Sequence, residues 1–168
     1  MHALLGNHEQ LMLRAYDRYE DDSDQHWVMN GGAHAIASYC RTDGDIEVWR
    51  DVIDKEHIAW LRTLPTMHRD DERKIAFVHG GIDPKTFPHC DDQIRIWTRS
   101  EKFFDPGRWP ARSELDGWLV VHGHTPTKDF EPQVVSTRRI NIDTGAVFGG
   151  PLTCVVLAPD AGPRFLRA

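Results

Sequence analysis

The chain has 168 residues, 40% of them hydrophobic and 27% charged, enough for one domain with a real core. Its 20 Lys and Arg against 26 Asp and Glu give a net charge of -6, which excludes the basic footprint of a nucleic-acid or anionic-membrane binder and points to small or protein substrates. Cys40, Cys90 and Cys154 form no CxxC pair, so no disulfide framework or thiolate zinc site is indicated, and no apolar run reaches the roughly 18 to 20 residues of a membrane span; a cytoplasmic protein with reduced thiols is expected.

In chain order, residues 3–5 read as a short buried strand and Gly6-Asn7-His8-Glu9 as the turn after it. Residues 9–20 carry apolar side chains at Leu11, Met12, Ala15, Tyr16 and Tyr19, a helical spacing that the acidic run at 21–24 ends. Asn30-Gly31-Gly32 would cap a second helix through Cys40, and residues 45–64 read as one or two more, with Asp54 as N-cap and Pro65 as the stop. The second half changes character: 75–78, 118–122, 139–142 and 152–157 are short apolar or β-branched runs between Gly, Pro and Asp, hence strands. Residues 103–112 read as an irregular loop. No repeat or polar linker divides the chain, so one mixed α/β domain over residues 1–168 is expected.

Three of the strand-like runs end in turns rich in His and Gly, "ALLGNHE", "IAFVHGGID" and "WLVVHGHTP". Strand ends gathered on one rim of a sheet are where α/β proteins build their sites. Asn7, His79 and His124 would there offer a carboxamide oxygen and two imidazole nitrogens, a donor set for Mn, Fe or Zn rather than for Ca or Mg. Any one of these turns alone reads as a solvent-exposed loop; their combination and order argue for a site. His122 shares a strand face with His124 and is given a supporting role. Asp143 either orients a ligand histidine or caps a turn, Asp83 and Glu9 read as turn or helix-start carboxylates, and Trp97 and Trp118 as packing. His2, His26, His34, His57, His68 and His89 are expected to be surface or satisfied histidines.

GNHE, VHGG, WTR, VVHGHTP and INIDTGAVFGG, in that order, resemble the metallophosphoesterase superfamily from Leu4 to about Leu157. The likeness is greatest to the phosphoprotein phosphatase branch of bacterial and phage serine/threonine phosphatases, with diadenosine tetraphosphatases as close relatives. The resemblance implies a calcineurin-like α/β fold, a two-sheet sandwich flanked by helices. It implies that Asn7, His79 and His124 bind the second of two divalent metals, Mn foremost and Fe or Zn as alternatives, that His8 donates a proton and that Arg99 holds phosphate. The implied activity is hydrolysis of phosphate monoesters by a two-metal-activated hydroxide, as in a serine/threonine protein phosphatase. A diadenosine tetraphosphatase-like hydrolase, or a non-catalytic metal- or phosphate-binding module, is the alternative. The substrate would be a phosphorylated protein or a small phosphoester, with no nucleic acid or membrane involved. The family's earlier motifs, GDxHG and GDxxDRG, supply the first metal's ligands, the bridging Asp and a second phosphate-binding Arg, and they do not occur here. The expectation is therefore an N-terminally truncated domain that lacks the strands beside GNHE, keeps one metal half-site, is inactive alone and self-associates through its exposed sheet.

Overall fold

Among the described residues, the elements of 3–65 are helices and those of 66–168 are mostly strands, and each stretch forms a unit on its own contacts. The computed structural model describes residues 1–40 and 49–168, so the first residues of the helical stretch expected at 45–64 lie outside the described residues.

In the first unit, helix α1 (Asn7–Tyr16) starts where Gly6 offers its N–H to the Glu9 carboxylate at 3.1 Å, a negative group that also suits a helix N-terminus. Leu11, Met12 and Ala15 form its buried stripe. It stops short of Glu20: Asp17 is the C-cap and Arg18 turns left-handed at φ 50°. Helix α2 (Ser23–Trp27), which the acidic composition hid, runs into a wide turn at Val28–Gly32. There Gly31 takes φ 94°, and a Cβ on Gly32 would stand 2.5 Å from the Trp27 ring, so the two glycines answer to different demands. Helix α3 (Ala33–Cys40) follows, as Asn30-Gly31-Gly32 foretold. Helices α4 (Trp49–Val52) and α5 (Lys55–Thr63) come next, and the Asp54 carboxylate accepts from Glu56 N–H at 2.8 Å as the expected N-cap.

One expectation fails here. Residues 3–5 form no strand, and Leu4 and Leu5 are only half-buried. A strand needs a hydrogen-bonded neighbour, and the helical unit supplies only the Pro65 carbonyl, which accepts from Leu5 N–H at 2.9 Å. The bare strand edge that motivated self-association is accordingly not formed at these residues.

The second unit holds a five-stranded sheet in the order β1-β2-β3-β5-β4, from β1 (Met67–Asp70), β2 (Ile75–Val78), β3 (Leu119–His122), β4 (Gln133–Val135) and β5 (Arg139–Asn141). The central β2, β3 and β5 are parallel, and the edges β1 and β4 are antiparallel. A separate ribbon pairs β6 (Thr153–Val156) with β7 (Arg164–Arg167). Alternation along the strands assigns the faces. Ile75, Val121 and Ile140 pack with Phe77, Val155 and Phe165, so the ribbon covers one face and makes a two-sheet sandwich. Ala76, Val78 and Val120 pack on the other face with Ile82, Phe103, Trp109 and Trp118, under helices α6 (Asp92–Trp97) and α7 (Glu101–Phe104). This is the expected α/β class. Residues 103–112 are more ordered than expected, with the end of α7 and a tight 3-10 turn at Pro106–Arg108. Among the described residues, no helix is long and apolar enough to cross a membrane.

Candidate metal and phosphate site

The neighbouring parallel strands β2 and β3 end level with one another. Gly123 N–H donates to the His79 carbonyl at 2.9 Å, which carries the ladder one step past the strands and fixes both His-Gly turns. Within this frame His79 Nε2 and His124 Nδ1 lie 3.2 Å apart. His124 holds a left-handed backbone at φ 67°, a conformation that costs a residue with a Cβ and persists only where its surroundings over-determine it. Such strain concentrates at working sites, and here it turns the His124 ring toward His79.

The two glycines of "HGG" bring the next element to the same place. Both Gly80 N–H (2.7 Å) and Gly81 N–H (3.2 Å) donate to the Arg95 carbonyl near the end of α6. A Cβ at Gly80 would approach the Ile96 carbonyl oxygen to 2.7 Å, and one at Gly81 would enter the Phe103 ring at 2.5 Å. The motif is thus a close-approach device that docks α6 and delivers the following Trp97-Thr98-Arg99. Trp97 meets the His124 ring edge-on at 6.0 Å between centroids, so it packs against the site itself. Gly80→Ala is expected to lower stability by about 1 to 3 kcal/mol, because the obstacle is backbone and must shift. A thermal melt unchanged within a degree would show that α6 yields freely.

Burial holds the His124 pKa down to about 4, helped by neighbouring His79 and by the Arg99 guanidinium. Its ring is therefore neutral near pH 7, the form that offers a lone pair. His122, deeper in the unit, is pushed to about 3, chiefly by burial. Its Nε2 lies 2.9 Å from Arg139 Nη1, and a guanidinium can only donate, so His122 accepts there and donates from Nδ1 to the Gly123 carbonyl at 3.0 Å. Arg139, 2% exposed, is held also by the Gln133 amide oxygen at 2.6 Å. The supporting role expected of His122 thus takes the form of a chain that runs inward from exposed Gln133 to buried Arg139 and His122 and on to the carbonyl of Gly123, the residue before His124. Nothing in the sequence marked Arg139 for this; a cation opening an otherwise apolar strand was its one trace.

Asp143 accepts from Gly145 N–H at 3.1 Å, the turn-capping arrangement, and Asp83 does the same for Lys85 N–H at 2.9 Å. Trp118 is core, edge-on to Phe87. His57 pairs with the Tyr39 hydroxyl at 2.7 Å. In the first unit, Asn7 is buried and His8 exposed in the first turn of α1.

Two imidazoles facing one another at 3.2 Å, that of His124 neutral near pH 7, fit a divalent transition metal, since two nitrogens each about 2.0 to 2.1 Å from a shared ion can stand that far apart. Among the described residues, no three His, Cys, Asp or Glu side chains converge as a metal-binding group.

The fold is similar to that of a crystal structure assigned as a diadenosine tetraphosphatase. The match covers 99% of this chain and 68% of that one, at a TM-score of 0.59 and 18% identity. The curated relatives agree in kind. The chain is 34% identical over 113 residues to the bis(5'-nucleosyl)-tetraphosphatase PrpE [asymmetrical] of Bacillus cereus (strain ATCC 10987 / NRS 248), and 33% identical over 115 residues to that of Bacillus thuringiensis (strain Al Hakam). These alignments take in 62% and 63% of this chain but only 44% and 45% of the relatives, so the chain spans less than half their length. No family model matches the chain.

Proposed function

We propose that this chain carries part of the active site of a metal-dependent phosphoric ester or anhydride hydrolase, with a dinucleoside tetraphosphate as substrate. The carrying observation is the His79–His124 pair at 3.2 Å with Arg99 acting on it. The relatives' names favour this substrate over the phosphoprotein that the resemblance placed first. Bound divalent metal, Mn foremost, would supply a hydroxide at neutral pH and neutralise phosphoryl charge. His79 and His124 present lone pairs to hold it, and a third ligand at Asn7 is what the resemblance alone implies. Arg99, exposed and always cationic, has the planar fork that suits two non-bridging phosphate oxygens. His8, exposed at the start of α1, protonates the departing oxygen.

The substrate reading has a chemical consequence at His8. The oxygen leaving a phosphoanhydride is a phosphate oxygen, a far weaker base than a serine alkoxide, and needs less help from an acid. In long incubations with Mn2+, diadenosine tetraphosphate should be cleaved at least about tenfold faster than a phosphoserine peptide, and Arg99→Ala should lower that cleavage by about 10² to 10³, the usual cost of one lost donor to developing negative charge. Preference for the peptide would overturn the substrate, and an unaffected Arg99→Ala would remove Arg99 from the site.

A further inference from the structure

A cleft of about 500 Å³ opens on the other side of the segment that carries Arg99. Thr98 and Ser100, on either side of Arg99, have extended backbones (ψ 134° and 129°). Thr98 and Ser100 line the cleft, while Arg99 acts on His124. One strip of chain is thus the wall between the histidine pair and this second space. The cleft has an apolar side, from Ile82, Ile94, Phe103 and Pro110, and a rim of three cations, Lys85, Lys102 and Arg108. Asp83 is the one carboxylate in the lining, and its Oδ1 is occupied by Lys85 N–H. Lys85 and Lys102 are exposed and have no ion pair among the described residues. Arg108 meets only the exposed Glu101 and Asp105, at 3.6 and 3.3 Å, contacts of little worth. On a chain of net charge -6, a cationic rim over an apolar wall is a local reversal of the field.

We propose that this cleft binds a nucleoside polyphosphate: the phosphates run along Lys85, Lys102 and Arg108, and the base and ribose lie against Ile82, Ile94 and Pro110. The assignment rests on the dinucleoside tetraphosphate reading and gives it a second subsite, one that holds the half of the substrate beyond Arg99. The volume is that of a small-ligand pocket, roughly 300 to 1,000 Å³, and the pairing of apolar wall with cationic rim matches a nucleotide better than an extended peptide.

The test uses ATP as probe, titrated into the 168-residue chain by calorimetry with EDTA present, so that no metal contributes. The double variant Lys85→Glu/Lys102→Glu alters two exposed, unpaired side chains. It should bind ATP at least about tenfold more weakly and tripolyphosphate correspondingly so, while its melting temperature and its Mn2+ binding match those of the parent. Undiminished ATP binding in the variant would overturn the assignment, as would loss of affinity for a phosphoserine peptide with ATP unaffected, which would make the cleft a peptide site. The readout is binding without metal or turnover. A failed hydrolase reading, seen as no Mn2+-dependent cleavage of diadenosine tetraphosphate, is therefore distinguishable from a failed cleft.

Discussion

Replacing either His79 or His124 by alanine should weaken Mn2+ or Zn2+ binding to the chain by about 10²-fold or more. The two nitrogens at 3.2 Å are the donor pair of the second unit, and removal of one leaves a single imidazole, which holds such ions poorly. Loss of a group that merely orients a ligand typically costs 10- to 100-fold in metal affinity, and loss of the ligand itself should cost no less. Competition against a chelating dye at pH 7.5 measures the constant. Exposed His89 serves as the control, since His89→Ala alters the histidine count without touching the pair. Equal affinities in His124→Ala and His89→Ala would mean that the 3.2 Å contact is an ordinary hydrogen bond between imidazoles, and the metal reading would fall.

The second large effect is a rate. With Mn2+ in excess, the 168-residue chain should turn over phosphoesters and phosphoanhydrides more than about 100-fold below the 1 to 10³ per second usual for enzymes. Cooperation of two metals, about 3.5 to 4 Å apart, needs a bridging group, and among the described residues no three His, Cys, Asp or Glu side chains converge to supply one. The sequence also lacks the GDxHG and GDxxDRG motifs, which the resemblance implies as the source of such carboxylates. Steady-state release of phosphate or ATP settles the matter, and turnover within the ordinary range would show that one half-site suffices.

The parts of the fold that were legible in the sequence are those where burial dictates residue type. β2, β3 and β6 are mostly apolar or β-branched because one or both faces are covered, β5 (RIN) is buried throughout, and all four fall within the runs expected at 75–78, 118–122, 139–142 and 152–157. The edge strands β1, β4 and β7 read MHRD, QVV and RFLR, and half-exposed edges impose no such pattern. Residues 3–5 were misread for the converse reason: a short apolar run satisfies the pattern of a strand but does not supply its neighbour. At the site, His79 and His124 could be paired from the turns that end their strands. The cleft beyond Arg99 could not, because Lys85, Lys102 and Arg108 come from a turn, helix α7 and a 3-10 turn that share no sequence pattern.

The docking of α6 on Gly80 and Gly81 has an energetic corollary. The Arg95 carbonyl, held by Gly80 and Gly81, ties the segment leading to Arg99 to the very turn that carries His79. Were a metal ion bound at the histidine pair, it and the Arg99 guanidinium would repel each other until an anion lay between them. Phosphate would then relieve the repulsion felt by the metal, and the metal that felt by the guanidinium. Each ligand would have to raise the affinity of the other by the same factor, so the strength with which Mn2+ bound would become a function of how much phosphate surrounded it.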